Sequence, residues 1–147
     1  MAIWTREITV EEANRHGADT MIGHVGIEIF EIGDDYVKAR MPVDRRTRQP
    51  AGVLHGGASV VLAETLASWG ASFAVDQSKH HCVGMEINAN HVRAVASGHV
   101  VGTARPIHLG RSSHIWEVRV TDERDKLVCI SRVTMAVLDT PNRYGGG

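Results

Sequence analysis

The chain carries 147 residues, with sixteen Lys and Arg against seventeen Asp and Glu and a formal net charge of −1. That length suits one compact domain, and the balanced charge with no basic run excludes a general nucleic-acid surface. Cys82 and Cys129 stand in no CxxC or zinc-ligand spacing, Met1 to Glu7 lacks an apolar signal region, and no segment is apolar enough to span a bilayer, so a reduced, cytoplasmic protein is expected.

In chain order, Thr9 with Glu12 makes a capping-box pattern that predicts a short helix to about Arg15, ended by Gly17. Alternation from Gly26 to Glu31 and from Tyr36 to Val43, around the turn residues Gly33-Asp34-Asp35, predicts a hairpin, with Pro42 on an edge or at a strand end. A glycine-rich loop, Gln49 to Gly57, runs into one long helix predicted from about Gly56 to Asp76. Beyond it the period changes to two, and strands are predicted over Cys82 to Val92, His99 to His108, His114 to Val120 and Leu127 to Leu138. A single domain over residues 1–139 is expected, followed by a disordered tail over 140–147.

The long helix has no charged face, and Glu64 is the one ionisable residue between Ala58 and Val75. A helix apolar nearly all round must be surrounded. With about six strands available, the economical arrangement is an α+β domain in which an antiparallel sheet wraps around one central helix, its leftover edges pairing with a second copy.

The chemistry concentrates where the glycine loop meets that helix. Free N–H groups at a helix start suit a polarised carbonyl or developing oxyanion, and Gly56 is placed to supply one. Glu64 is the matching nucleophile or general base, because a lone carboxylate on an apolar helix is costly to bury without a partner or a purpose. Gln49 offers a neutral amide donor to a carbonyl, or caps a loop backbone group. His55 is either a base or a hydrogen-bonding support that orders the loop, and Ser68, one turn after Glu64 on the same face, orients water or bonds back to its own helix.

The run Gln49-Pro50, Gly52-Val53-Leu54-His55-Gly56-Gly57-Ala58-Ser59, Ala63-Glu64 and Gly84-Met85-Glu86-Ile87-Asn88-Ala89-Asn90-His91-Val92-Arg93 resembles the hotdog-fold acyl-CoA thioesterases. The resemblance spans nearly the whole chain, from Ile3-Trp4 through the last strand. It implies hydrolysis of acyl-CoA thioesters, with aromatic acyl groups such as 1,4-dihydroxy-2-naphthoyl-CoA of menaquinone biosynthesis or benzoyl-CoA-like substrates to the fore. Medium-chain or acyl-carrier-protein-linked substrates are the alternative. It implies a homodimer, assembled further into a homotetramer, with sites at the subunit interface.

Carried over by position, the resemblance makes Glu64 the catalytic carboxylate, Gln49 and the Gly56 N–H the carbonyl-engaging groups, and His55 and Ser68 their polar support. The CoA end corresponds to Gly84, to His91, Val92, Arg93 and Ala94, and to the turn His108, Leu109, Gly110, Arg111, Ser112 and Ser113. Period two sets His91 and Arg93 on one strand face, suited to an anionic nucleotide or simply to solvent. No metal and no cofactor beyond the substrate's own CoA are expected, since the histidines show no ligand spacing and no P-loop or dinucleotide fingerprint occurs. A hotdog dehydratase would pair its acid with a histidine in a motif such as HFPG, which is absent, and an acyl-CoA-binding regulator would carry a helix-turn-helix segment larger than Thr9 to Met21.

Overall fold

The computed structural model describes residues 1–141. The first helix, α1 (Val10–Gly17), starts where the Thr9 hydroxyl accepts the Glu12 N–H at 3.1 Å. Only half of the capping box forms, because the Glu12 carboxylate pairs instead with Arg6. A second helix of four residues, α2 (Met21–His24), was not expected; Thr20 caps it, accepting from Ile22 N–H at 3.2 Å.

Strands β1 (Glu28–Ile32) and β2 (Val37–Pro42) form the hairpin, α3 (Gly56–Ala74) is the long helix, and β3 (His80–His91), β4 (His99–Leu109), β5 (Ser113–Thr121) and β6 (Leu127–Asp139) complete the chain. All six strands join one antiparallel sheet in the order β1-β2-β4-β5-β6-β3. The fold is thus α+β with a single long helix on the sheet, as expected. Pro42 lies at a strand end and not on an edge, because β2 pairs on both sides.

Boundaries moved where partners decided them. The ladder of β3 starts two residues early because His80 and His81 pair with Asp139 and Leu138. Helix α3 stops at Ala74, ahead of the expected Asp76, because Val75 turns extended and the amino-terminal strap takes over the last carbonyls. Thr5 donates its N–H to Phe73 O at 3.0 Å and its hydroxyl to Val75 O at 3.0 Å, satisfying groups that the helix end leaves open. In the expected tail, Thr140 is tied by its N–H to Lys79 O at 2.8 Å, and 142–147 lie outside the described residues.

One face of α3 packs on the sheet through Ser59, Leu62, Ala63, Leu66, Ala67, Gly70, Ala71 and Phe73. Small residues let the helix come close: a methyl group built on Gly70 would lie 2.7 Å from the Trp116 ring, and overpacking of that kind costs about 1–3 kcal/mol. Trp116 is fully buried and stacks on Trp4, with ring centroids 6.5 Å apart. As expected of one open sheet, part of α3 stays exposed in the single chain. Val60, Val61, Glu64, Ser68 and Trp69 stay half-exposed.

At the end of the sheet, β3 has β6 on one side and no strand on the other among the described residues. Its ladder contains a bulge, since Gly84 faces Met135 and Glu86 faces Thr134 with Met85 left over. Val83 and Met85 are exposed, Met85 to 65%.

Candidate active site

The loop before α3 is shaped by a few short bonds. Arg46 clasps Asp44 through its guanidinium and its own N–H, holding that carboxylate's pKa down to about 2. Thr47, buried, donates its hydroxyl to Pro42 O at 2.7 Å, and its carbonyl accepts the His55 N–H at 2.8 Å. Between these anchors Gln49 and Val53 close a turn in which Gly52 takes φ +84°, a conformation that favours glycine. The Gln49 side-chain oxygen accepts the Ala51 N–H at 2.5 Å, which leaves its NH2 group as the donor end.

His55 is the N-cap of α3. Its Nδ1 accepts the Gly57 N–H at 2.8 Å, so the neutral ring carries its proton on Nε2 and presents a donor. The Gly56 N–H makes no hydrogen bond among the described residues. A Cβ on Gly56 would stand 2.8 Å from His91 Nε2, so the glycine is what lets the β3 imidazole reach the helix start. Around this contact, Val53, Leu54, Gly56, Ser59, Val92 and Arg93 line a surface cavity of about 420 Å³, which His91, Ala94 and Val128 complete. Val53, Leu54, Ser59 and Val128 were not named as site residues from the sequence; Ser59 could have been found from its place in the first turn of α3, three residues after Gly56.

Glu64 lies eight positions further along α3, roughly 12 Å along the helix axis from Gly56. Its carboxylate rests on Gly84 of β3, in space that any side chain at 84 would fill. Ser68 points to the sheet, its hydroxyl 3.9 Å from Met135 Sδ, and it neither bonds back to the helix nor faces the loop. The CoA segments named from sequence separate as well. His91 to Ala94 lie beside Gly56, whereas the His108 to Ser113 turn lies at the other end of the sheet, where Ser113 pairs with Ala136 and Ala136 with Val83. Within one chain, then, Gly56 and His91 meet, Glu64 and Gly84 meet, and the two groups stand apart.

Comparison with known proteins gives these contacts their setting. Residues 51–129 match the family model described as Thioesterase superfamily. This chain belongs to the thioesterase superfamily. The matched span holds the helix start, Glu64, Gly84 and the His91 strand together. Similar relatives include the 1,4-dihydroxy-2-naphthoyl-CoA hydrolase of Escherichia coli, 48% identical over 92% of this chain and 99% of that protein. The proofreading thioesterase EntH of Cronobacter turicensis is 47% identical, over 92% of this chain and 98% of its own. Among solved structures, a mutant thioesterase from Pseudomonas aeruginosa superposes with a TM-score of 0.93 at 44% identity, covering 95% of this chain and 100% of that one. As a thioesterase-superfamily member the chain is a thioester hydrolase, and the hotdog architecture expected from its motifs is the one it adopts. Among the described residues no helix is long and apolar enough to cross a membrane, and no cluster of three or more His, Cys, Asp or Glu could hold a metal.

Proposed function

We propose that this chain hydrolyses aromatic acyl-CoA thioesters in the cytoplasm, with Glu64 attacking the thioester carbonyl directly or activating water to do so. The observation that carries the reading is the Glu64 carboxylate, alone on an apolar helix and seated against Gly84 in a thioesterase-family chain. An acid held there needs no metal or cofactor to work, and the substrate brings its own CoA. The E. coli relative acts on 1,4-dihydroxy-2-naphthoyl-CoA by its name, which favours a fused or single aromatic ring as the acyl group and a place in menaquinone biosynthesis. The second reading is a medium-chain or acyl-carrier-protein-linked substrate.

The separation of Glu64 from Gly56 is resolved by a second copy. Antiparallel pairing along the free β3 edge, centred on Asn88 so that inward Ile87 of one copy faces inward Ala89 of the other, sets His91 of one copy opposite the Gly84–Met85 bulge of its mate. Gly56 and Gln49 of one copy then approach Glu64 of its mate, and the two CoA segments, roughly 20 Å apart along one strand, converge from different copies. The same pairing covers Val83 and Met85, and two such dimers make the homotetramer. In that site Gln49 NH2 and Gly56 N–H hold the carbonyl oxygen, His55 orders the loop that carries them, and Ser68 supports Glu64 from the next turn.

The test is release of free CoA, read with a thiol reagent, from benzoyl-, dihydroxynaphthoyl-, medium-chain and long-chain acyl-CoA, compared by kcat/KM. Aromatic substrates are expected to lead, and an aliphatic long-chain optimum overturns the acyl assignment. For Gln49→Ala, kcat should fall on the order of ten- to a thousandfold with little change in KM, because the lost donor acts on the transition state. A change confined to KM makes Gln49 a ground-state binding residue instead.

A further inference from the structure

Period two along β3 turns Ile87 and Ala89 toward the core, and His91 is the next position on that face. The strand ends there, beside the start of α3. The imidazole points its Nε2 at the helix: that atom stands 2.8 Å from the place a Cβ on Gly56 would take, nearer than the ring carbons beside it. Gly56 is also the residue whose N–H stays free among the described residues. A backbone donor and a ring nitrogen therefore adjoin each other, and both residues line the cavity of about 420 Å³ that Val92, Arg93 and Ala94 share.

We propose that His91 is a catalytic residue, its Nε2–H donating a hydrogen bond to the thioester sulfur and holding the thiolate as the C–S bond breaks. This rests on the reading of the Gly56 N–H as the group that holds the carbonyl oxygen. A thioester's oxygen and sulfur are bonded to one carbon and lie closer together than the two ends of a hydrogen bond. A substrate with its oxygen on the Gly56 N–H thus keeps its sulfur within reach of a side chain that touches Gly56. The CoA end runs along His91 to Ala94 in that reading, and His91 is the member of the segment that adjoins Gly56. As the carboxylate or water forms the new C–O bond and the intermediate collapses, the C–S electron pair goes to sulfur. CoA departs as the thiolate and takes its proton from water on release, while the His91 proton stays on nitrogen. A thioester sulfur is a poor acceptor and a thiolate a good one, so the bond strengthens as charge builds and favours the transition state over the bound substrate.

Benzoyl-CoA and its selenoester analogue, benzoyl-seleno-CoA, test the inference, because a selenolate is the better leaving group and needs less help from a donor. His91→Phe keeps a ring and removes the donor. Its kcat for benzoyl-CoA should fall about ten- to a hundredfold, and at least about fivefold further than its kcat for the selenoester. His91→Gln, which can set an amide N–H near the Nε2 position, should regain most of that difference. Comparing two substrates on one protein sample cancels any loss of folded enzyme. A side chain that only positions CoA or Glu64 of the second copy lowers both substrates alike or acts on KM alone. Either result overturns the proposal, as does an unchanged kcat. A second readout needs neither turnover nor the Gly56 contact. In calorimetric titration the wild type should bind CoA at least about threefold more tightly than desulfo-CoA, and His91→Phe should bind the two alike. A preference that survives the substitution removes His91 from the sulfur. The carbonyl stretch of bound phenacyl-CoA, a non-hydrolysable ketone, reports on Gly56 separately. If that band is unshifted while the preference for CoA still depends on His91, the carbonyl reading fails and the sulfur contact stands.

Discussion

Glu64→Gln should lower kcat for acyl-CoA hydrolysis by roughly a hundred- to ten-thousandfold and leave the protein folded. The substitution keeps the volume that rests on Gly84 and removes only the charge and its basicity. No other acid lies between Ala58 and Val75 to take over, and the side chain makes no hydrogen bond or ion pair among the described residues that the fold depends on. Steady-state kinetics with benzoyl-CoA, beside a thermal unfolding curve, measures both halves of the expectation. A folded Glu64→Gln protein that turns over near the wild-type rate removes Glu64 from the chemistry. A single turnover in oxygen-18 water then tests for the covalent route in the wild type: label in Glu64 requires a Glu64–acyl anhydride opened by water at the Glu64 carbonyl, whereas activation of water puts the label in the product acid alone.

The second large effect is a recovery. Glu64→Ala and Gln49→Ala proteins should each be nearly inactive, yet mixing them under conditions that let subunits exchange should restore activity. Gly56 stands at the start of α3, Gln49 in the loop before it and Glu64 some two turns along the helix, so the proposed site takes them from different copies. In a mixed dimer one site then carries both intact groups and the other carries neither. Random exchange makes half of the dimers mixed, which sets the ceiling at about a quarter of wild-type turnover. Verified heterodimers as inactive as their parents would show that both groups act from one chain.

Much of this was legible in the residues, and the gaps have physical reasons. The four strands after α3 announce themselves by period and α3 by the length of its apolar, small-residue run, both local properties of the chain. The bulges do not, because a bulge exists only relative to the strand beside it; the pairing of Gly84 with Met135 and of Glu86 with Thr134 cannot be read from β3 alone. Helix α2 escaped because four residues are too few to show a period, although Thr20 carried the capping signal. The motif residues named as a single site fall into two groups in the chain, since sequence order carries no measure of the distance between Gly56 and Glu64. His55 was read as a base or a support, and the bond from Gly57 N–H to its Nδ1, which commits the lone pair to the helix cap, depends on a rotamer. His114 raised no signal at all. Its buried Nδ1 has no hydrogen-bond partner among the described residues, a property invisible until every neighbour has been placed.

The extra residue in β3 has an evolutionary consequence. Met85 resets the alternation of the strand, so that Gly84 and Ile87, three apart, both turn inward beneath α3. Loss of one residue at this point would restore strict alternation, rotate Gly84 to the outer face and bring a side chain into the space that the Glu64 carboxylate now occupies. Point substitutions can therefore accumulate along this edge while length variation cannot, and lineages that keep the activity should differ in the identity of residue 85 far more readily than in its presence.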